Sequence, residues 1–359
     1  MRLISRKKVE AILGRLRQLE VDAAIFINSE PLIDTNIQYL SGFGGMLDGI
    51  LVLTADGTHL LTTQLDYDRA QEESSVDVVS RMSPREKASR TIKPIVARSR
   101  KIGVIKNRFT IAHLAKLGIP ASKLVDIDGI MRDERAIKED KEIEALTKSA
   151  RISNRGVRFL RGFLKKGVRE NEVSAELDRE LRTRGSERTP FDIIVTSGSR
   201  SFKVHSCPAS TSKRIGRGLG LVDFGSVYRG YVTDVTVPFL AGRASAREEM
   251  LARTAVSVFG EVSGMIKPGA SIDSVAKRYE SLIKSNGFEV KHSLGHGIGL
   301  DTHDSPSLAR GKGKLAAGMT LAIEPGVYKR GIGGCRLEND FLVTGSGACA
   351  MTKSKLIRI

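Results

Sequence analysis

The stretches KKGVRENEVSAELDRELRTRG (165–185) and IKPGASIDSVAKRYESLIKSNG (266–287) correspond at a fixed interval of 102 residues. That interval pairs Gly167 with Gly269, Val173 with Val275, Leu177 with Tyr279, Leu181 with Ile283 and Gly185 with Gly287. In each copy a glycine precedes an amphipathic helical pattern, and a second glycine closes it in the C′ manner. Two copies are too few to stack as a solenoid. They constrain the chain to a domain of two similar halves about a pseudo-twofold axis, with a site between the halves.

The repeat extends into strands that carry acids. In LVDFGSVYRGYVTDVTVPF (221–239), Asp223 and Asp234 are equidistant from a turn centred on Tyr228-Arg229. That register sets them directly opposite each other, with Cβ atoms ~5 Å apart, a destabilising pairing for like charges. An isolated pair of this kind is usually a hairpin with two solvated carboxylates. Here the second half repeats it: LVDFGSVY is answered by LAIEPGVY, with Glu324 where Asp223 stands, and YVTDVTV by GCRLENDFLV, with Glu338 in the place of Asp234. Four converging carboxylates cannot all stay ionised in a partly buried site without a compensating charge. Between the hairpins, KHSLGHGIGLDTHDSP holds His292, His296 and His303, half of the six histidines in the chain. Gly295, Gly297 and Gly299 leave room beside His296 for close approach to another group. Carboxylates with one imidazole suit a pair of divalent ions such as Mn²⁺, Co²⁺, Fe²⁺ or Zn²⁺. Two such ions ~3.5–4 Å apart can share a hydroxide and clamp a carbonyl.

The remaining sequence is consistent with a two-domain α/β (α+β) protein. The chain has 359 residues, enough for two cores. Residues 1–135 alternate a helix near 7–19 with apolar strands in DAAIFIN, GILVLTADGTHLLTTQLDY, KIGVIKN and LVDIDGI. The charged segment MRDERAIKEDKEIEALTKSARISNRGVRFLRGFL then opens a long amphipathic helix, which puts a boundary near residue 135 and a second domain at 136–359. Cys207, Cys335 and Cys349 are too few and scattered for a disulfide framework. No apolar run reaches the ~20 residues of a membrane span, and the charged N-terminus lacks the apolar core of a secretory signal. A cytoplasmic enzyme without membrane contact is expected. The net charge of +17 divides as +4 over residues 1–135 and +13 over 136–359. Basic residues spread over helices, with few aromatics, point to a solvated basic surface and no specific nucleic-acid partner.

The ordered set Asp223, Asp234, His296, Glu324 and Glu338 resembles the five-ligand dinuclear site of the pita-bread metallopeptidases, and more closely that of the Xaa-Pro dipeptidase (prolidase) and Xaa-Pro aminopeptidase branch. VDFGSVYRGYVTD, GHGIGLDTHD, IEPGVY and RLEN each resemble one of its signatures. The match covers residues 140–359 well; VDAAIFIN and NIQYLSGF resemble the family's smaller creatinase-type N-terminal domain more loosely. The resemblance implies a pita-bread catalytic domain with two divalent ions per subunit, Mn²⁺ or Co²⁺ first, with Zn²⁺ or Fe²⁺ also compatible. Asp223 would chelate one ion, Asp234 and Glu338 would bridge, and His296 and Glu324 would hold the other. Glu324 would also carry protons for a bridging hydroxide nucleophile. His303 would hydrogen-bond the scissile carbonyl, and His205 and His292 would line the substrate pocket. Arg336 either orients a substrate carboxylate or forms a salt bridge to Asp223 or another ligand. The implied substrate is a small peptide with proline second, and the implied assembly a homodimer. The stretch SGSRSFKVHSCPAS keeps His205 but departs from the usual SG-x-NS-x-x-PH, so a hydrolase of non-proline peptides or small amides, or a non-catalytic peptide-binding protein, stays open. The DFG triplet at 223–225 lacks the partner motifs of a kinase, and GRGLGLVDFG precedes its strand where a dinucleotide loop would follow one.

Overall fold

The computed structural model describes residues 4–82 and 88–359. They form two compact units, Met1–Arg135 and Ala136–Ile359. In the first, the order is α1 (Arg6–Gln18), β1 (Ala23–Asn28), α2 (Thr35–Ser41), β2 (Gly49–Thr54), β3 (Gly57–Thr62), α3 (Gln64–Glu73), β4 (Val78–Arg81), α4 (Ala88–Ile95), β5 (Ile102–Val104), α5 (Ile111–Leu117), β6 (Leu124–Asp126) and α6 (Asp128–Ala136). The strands make one mixed sheet in the order β4-β3-β2-β1-β5-β6. Helix α1 begins where the Ser5 hydroxyl accepts the Lys8 N–H, and it buries Val9, Ile12 and Leu16, the three- and four-residue spacing of a helix face. The QLDY end of the second apolar segment is helix, not strand: Thr63 takes extended geometry ahead of α3 and Asp66 enters its first turn, where the helix dipole favours an acid.

The second unit runs α7 (Asp140–Phe163), α8 (Glu170–Thr183), β7 (Ile194–Ser197), β8 (Gly218–Phe224), β9 (Val227–Tyr228), β10 (Tyr231–Val232), β11 (Val235–Ala241), α9 (Ala246–Gly264), α10 (Ile272–Ser285), β12 (Gly295–Gly297), β13 (Asp304–Ser307), β14 (Thr320–Ile323), β15 (Gly326–Lys329), β16 (Gly333–Arg336), β17 (Asn339–Val343), β18 (Ala348–Ala350) and β19 (Ile357–Arg358). Its two halves each hold a long helix, a 14-residue helix and a sheet. The sheet orders are β19-β11-β8-β7 and β13-β12-β14-β17-β18.

The repeat is visible in backbone detail. Gly167 and Gly269 both have positive φ, 89° and 81°, and Gly185 and Gly287 both do so beyond the helix ends, at 97° and 77°. The Gly167 N–H donates to the Ile215 carbonyl and the Gly269 N–H to that of Leu315, each at 2.8 Å. Val173, Leu177 and Leu181 pack in one core, and Val275, Tyr279 and Ile283 in the other.

Helix α7 approaches its half closely through Gly156, where a Cβ would stand 2.8 Å from Phe224 Cε2 and 3.0 Å from Leu181 Cδ2. Replacing glycine in a helix gains at most ~1 kcal/mol of propensity, whereas overpacking a core costs ~1–3 kcal/mol. Gly156→Val is therefore expected to lower the urea midpoint of the second unit; an unchanged or raised midpoint would contradict this packing.

Candidate metal centre

The hairpin β8–β11 turns at Arg229-Gly230, whose φ values of 49° and 77° give the type I′ geometry that suits a two-residue hairpin turn. The Glu187 carboxylate accepts both turn N–H groups, at 2.5 and 3.1 Å. Tyr228 pairs with Tyr231, and further along Asp223 pairs with Thr236. The expected turn at Tyr228-Arg229 is thus one residue early. Moving the centre by one shifts every partner by two, so Asp223 and Asp234 are diagonal neighbours on one face, ~7–8 Å apart, and not directly opposed. The cause is local: Gly230 accepts positive φ without steric cost, and Arg229 is held beside it by Glu187.

Both strands of each hairpin are interrupted, and Asp234, Glu324 and Glu338 sit in the gaps, whereas Asp223 stays paired within β8. Strand β8 ends at Phe224 and β9 begins at Val227, while β10 ends at Val232 and β11 begins at Val235, which leaves Asp234 in the gap. Behind this gap, Ser149, Ser153, Ser226 and Thr233 share a buried hydroxyl network. In the second hairpin Ile323 pairs with Asn339 and Gly326 with Arg336. The same register carried across the gap sets Glu324 against Glu338. Backbone groups released at the gaps join the halves: the Asp234 N–H donates to Asp340 Oδ2 at 3.1 Å, and the Glu338 N–H to the Thr236 carbonyl at 3.2 Å. The Thr236 hydroxyl donates to Glu338 Oε2 at 2.6 Å.

His296 lies on β12, between β13 and β14. The group that the glycines beside it let approach is backbone: a Cβ on Gly295 would meet the Ala322 carbonyl at 2.0 Å, and one on Gly297 the Ser305 carbonyl at 2.1 Å. His296 Nδ1 donates to the Gly297 carbonyl at 3.0 Å, which leaves Nε2 as an acceptor. Nε2 lies 3.8 Å from Asp234 Oδ2 and 3.9 Å from Glu324 Oε1. Ligand atoms of Asp234, His296 and Glu338 all fall within 4.8 Å of one another.

Arg336 is 2% exposed, so it has no free fork to offer a substrate carboxylate. Its Nη2 donates to Asp223 Oδ2 at 2.5 Å, Nε to Thr236 Oγ1 at 3.0 Å, and Nη1 to the Tyr328 hydroxyl at 3.0 Å and the Val204 carbonyl at 3.2 Å. Of the two roles open in the sequence, the geometry is that of the salt bridge to Asp223. Three other histidines gather around the acids. The His303 ring lies against that of His296, with centroids 4.2 Å apart and planes tilted by 47°, and His292 Nε2 bonds the Tyr328 hydroxyl at 3.0 Å with Nδ1 3.8 Å from Glu324. His205 is exposed, and a charge on it disfavours protonation of both His292 and His303.

Sequence reasoning missed Asp340, Thr236 and Tyr328. Asp340 is fully buried, and its second oxygen has no partner. Thr236 stands 102 residues before Glu338 in the other half, so no local pattern joins them. Tyr328 was visible as the tyrosine that ends both SVY and GVY.

Burial, followed by repulsion from Glu338 and Asp223, raises the Asp234 carboxyl well above its ordinary range. Burial with repulsion from Glu324 and Asp223 does the same to Glu338, and burial alone raises Asp340. Glu324 is pushed up to about 7 by burial, against the opposing pull of Arg336. Burial pushes His292 and His296 down to about 4, so both are neutral lone-pair donors at neutral pH. Asp223 Oδ1 is buried with no hydrogen-bond donor, although Oδ2 is held by Arg336. A cluster of buried acids with one guanidinium, an orphan carboxylate oxygen and an imidazole whose free nitrogen faces carboxylates fits divalent cations. Asp234, His296 and Glu338 form a site able to coordinate them.

Comparison with known proteins identifies the family of each unit. Residues 144–345 match the model of metallopeptidase family M24, and residues 8–137 match that of the creatinase/prolidase N-terminal domain. The chain belongs to metallopeptidase family M24. It is a metallopeptidase with a creatinase-type N-terminal unit and a pita-bread catalytic unit. An Xaa-Pro dipeptidase of Pyrococcus horikoshii is 30% identical over 98% of both chains. The solved prolidase of that organism superposes with a TM-score of 0.89 at 27% identity, covering 98% of this chain and 99% of the other. An Xaa-Pro dipeptidase from Bacillus anthracis gives 0.90 at 27% identity with the same coverage.

The raised carboxyls and depressed histidines set opposite limits on the metal-free protein. Glu324 binds a proton in the folded chain up to about 7, against 4.5 ordinarily, so its contribution to stability is full at low pH and is lost as pH rises through 7. His292 and His296 refuse protons down to about 4, against 6.5 ordinarily, so theirs is lost as pH falls below 6.5. Asp234, Glu338 and Asp340 are raised in the same direction as Glu324, so chelator-treated M24 protein is expected to lose stability as pH rises from 6.5 to 8.5, and Mn²⁺ should remove that loss. Denaturant midpoints that rise steadily from pH 6.5 to 8.5 without metal would contradict this.

Proposed function

We propose that the protein is a dinuclear metal-dependent peptidase that hydrolyses the bond between an N-terminal residue and a following proline. The observation that carries this reading is the convergence of Asp234, His296 and Glu338, with Asp223 and Glu324 beside them, from both halves of the repeat. Asp223 would hold one ion, Asp234 and Glu338 would lie between the two, and His296 with Glu324 would hold the other. Mn²⁺ or Co²⁺ suits this oxygen-rich set with one imidazole, and Zn²⁺ or Fe²⁺ is also compatible. Bound divalent ions would supply a nucleophile at neutral pH and a Lewis acid for the scissile carbonyl.

The side chains of this chain would do the rest. Arg336 and Thr236 fix the rotamers of Asp223 and Glu338 by hydrogen bonds. Glu324, with its pKa near 7 in the metal-free site, would hold a proton for the leaving amine. His303, neutral beside His296, would donate to the oxyanion. His205 and His292 would line the wall that meets the substrate. The Xaa-Pro reading is supported by the named activity of relatives that match over their whole length. A homodimer in the cytoplasm is part of the same proposal.

Proline release from an Xaa-Pro dipeptide by chelated and Mn²⁺-reloaded protein tests it. Hydrolysis should require the metal; if no Xaa-Pro peptide is cleaved in a metal-dependent way, the reading fails. Equal cleavage of non-proline dipeptides would shift it to a general peptidase, and preference for a longer Xaa-Pro peptide would make it an aminopeptidase. Asp234→Ala and Glu338→Ala should each lose both ions by metal analysis and lower kcat by at least ~10³-fold, the scale of losing a key electrostatic group. Full metal occupancy in either variant would refute the bridging roles.

A further inference from the structure

Helix α7 uses one face against the hydroxyl network of the first hairpin, through Ser149 and Ser153, and presents arginines on the other. Arg151, Arg155, Arg158 and Arg161 recur every three or four residues on the exposed face. Lys353 and Lys355, from the segment between β18 and β19, come up beside them, and the Asn154 amide donates to the Met351 carbonyl at 2.9 Å to fix that segment. Together they line a groove of about 460 Å³.

This groove differs from helices α8 and α10, where the basic side chains have acidic partners: Arg179 with Glu176, Arg182 with Asp178, Arg184 with Glu180, Lys277 with Asp273. Among the described residues, none of the six groove cations has such a partner. The sequence explains why: there is no acid from Ala145 to Arg169, nor after Asp340. Counting charge along the chain gave a dispersed basic surface. The fold gathers two acid-free segments, distant in sequence, into one patch.

We propose that this groove binds the phosphodiester backbone of a nucleic acid, without regard to sequence. Arginine forks match phosphate oxygens in pairs, and the stripe from Arg151 to Arg161 extends ~15 Å along the helix axis, the span of several phosphates. Val157 is the one apolar residue in the lining, and no aromatic is present. A protein partner would need an apolar or aromatic anchor at the centre of its interface, and base readout would need a stacking surface. A cationic, polar groove lacking both fits a phosphate backbone.

The test is fluorescence anisotropy with a labelled 20-base-pair duplex of mixed sequence, titrated from 50 to 200 mM salt. With up to six contacts, log K should fall against log salt with a slope no steeper than about −5, at ~0.9 per contact. Arg155→Glu with Arg158→Glu should weaken binding at least tenfold at 50 mM and reduce the slope by about 2. Lys312→Glu with Lys314→Glu is the control: each reversal removes two charges, so both double variants drop from +17 to +13. The control should stay within about twofold of wild type. Equal weakening by both pairs would show that net charge alone attracts the duplex and would overturn the groove. Polyglutamate competing as well as the duplex at matched charge would make an acidic protein the occupant and overturn the phosphate assignment. Should the arginine reversals lower the melting temperature, Arg155→Gln with Arg158→Gln carries the same comparison without new acids.

Discussion

Five carboxyl groups, those of Asp223, Asp234, Glu324, Glu338 and Asp340, meet one buried guanidinium, that of Arg336. Two like charges 4 Å apart repel by ~4 kcal/mol at the effective dielectric of a protein site. Arg336 can offset only part of that, because its bond geometry commits it to Asp223. The remaining acids need protons or cations, and their raised pKa values express the first choice in the absence of the second. Metal binding and the stability of this M24 unit are therefore linked through the same groups. A chain that kept these acids without a use for cations would carry the repulsion with nothing to offset it.

The backbone distributes the acids in a way that side-chain rotamers alone could not. Asp234, Glu324 and Glu338 sit where the hairpin strands lose their pairing, and two amides released there reach across to the other half, from Asp234 to Asp340 and from Glu338 to Thr236. A ligand carried by a main chain that is itself hydrogen-bonded across the axis has little freedom to drift. The Arg229-Gly230 turn, held by Glu187, fixes the register that puts Asp223 and Asp234 on one face. Gly295 and Gly297 let β12 lie tightly against its neighbours, which brings the His296 ring to the same point. Turn, gap and close strand contact converge on one centre from both halves.

What could be read from the sequence was chemical type and order: which acids, which histidine, and that a repeat supplied them twice. Those are properties of residues, and the repeat interval gave the pseudo-twofold without coordinates. The register was misplaced because it depends on the backbone conformation of Arg229, a residue that seldom takes positive φ. Asp340 and Thr236 escaped notice because their partners lie in the other half, 106 and 102 residues away. The glycines beside His296 were read as room for close approach, and the groups that approach are carbonyls of adjacent segments. Arg336 had two readings until its burial separated them. Apart from the register, the missing information was a contact between distant segments, which composition and spacing do not encode.

The loop that departs from the family pattern is tied to the acids by one bond. The carbonyl of Val204, immediately before His205, accepts from Arg336 Nη1, and the same guanidinium holds Asp223. That bond is to main chain, so it is indifferent to which side chains the loop carries. Lys203, His205 and Cys207 are all exposed, outside the tether. The side chains of this loop can therefore change while the backbone at 204, and through it Asp223, keeps its position. Such an arrangement separates the loop's side chains from the acids, and it is consistent with a chain in which the acids and His296 follow the family pattern while SGSRSFKVHSCPAS does not.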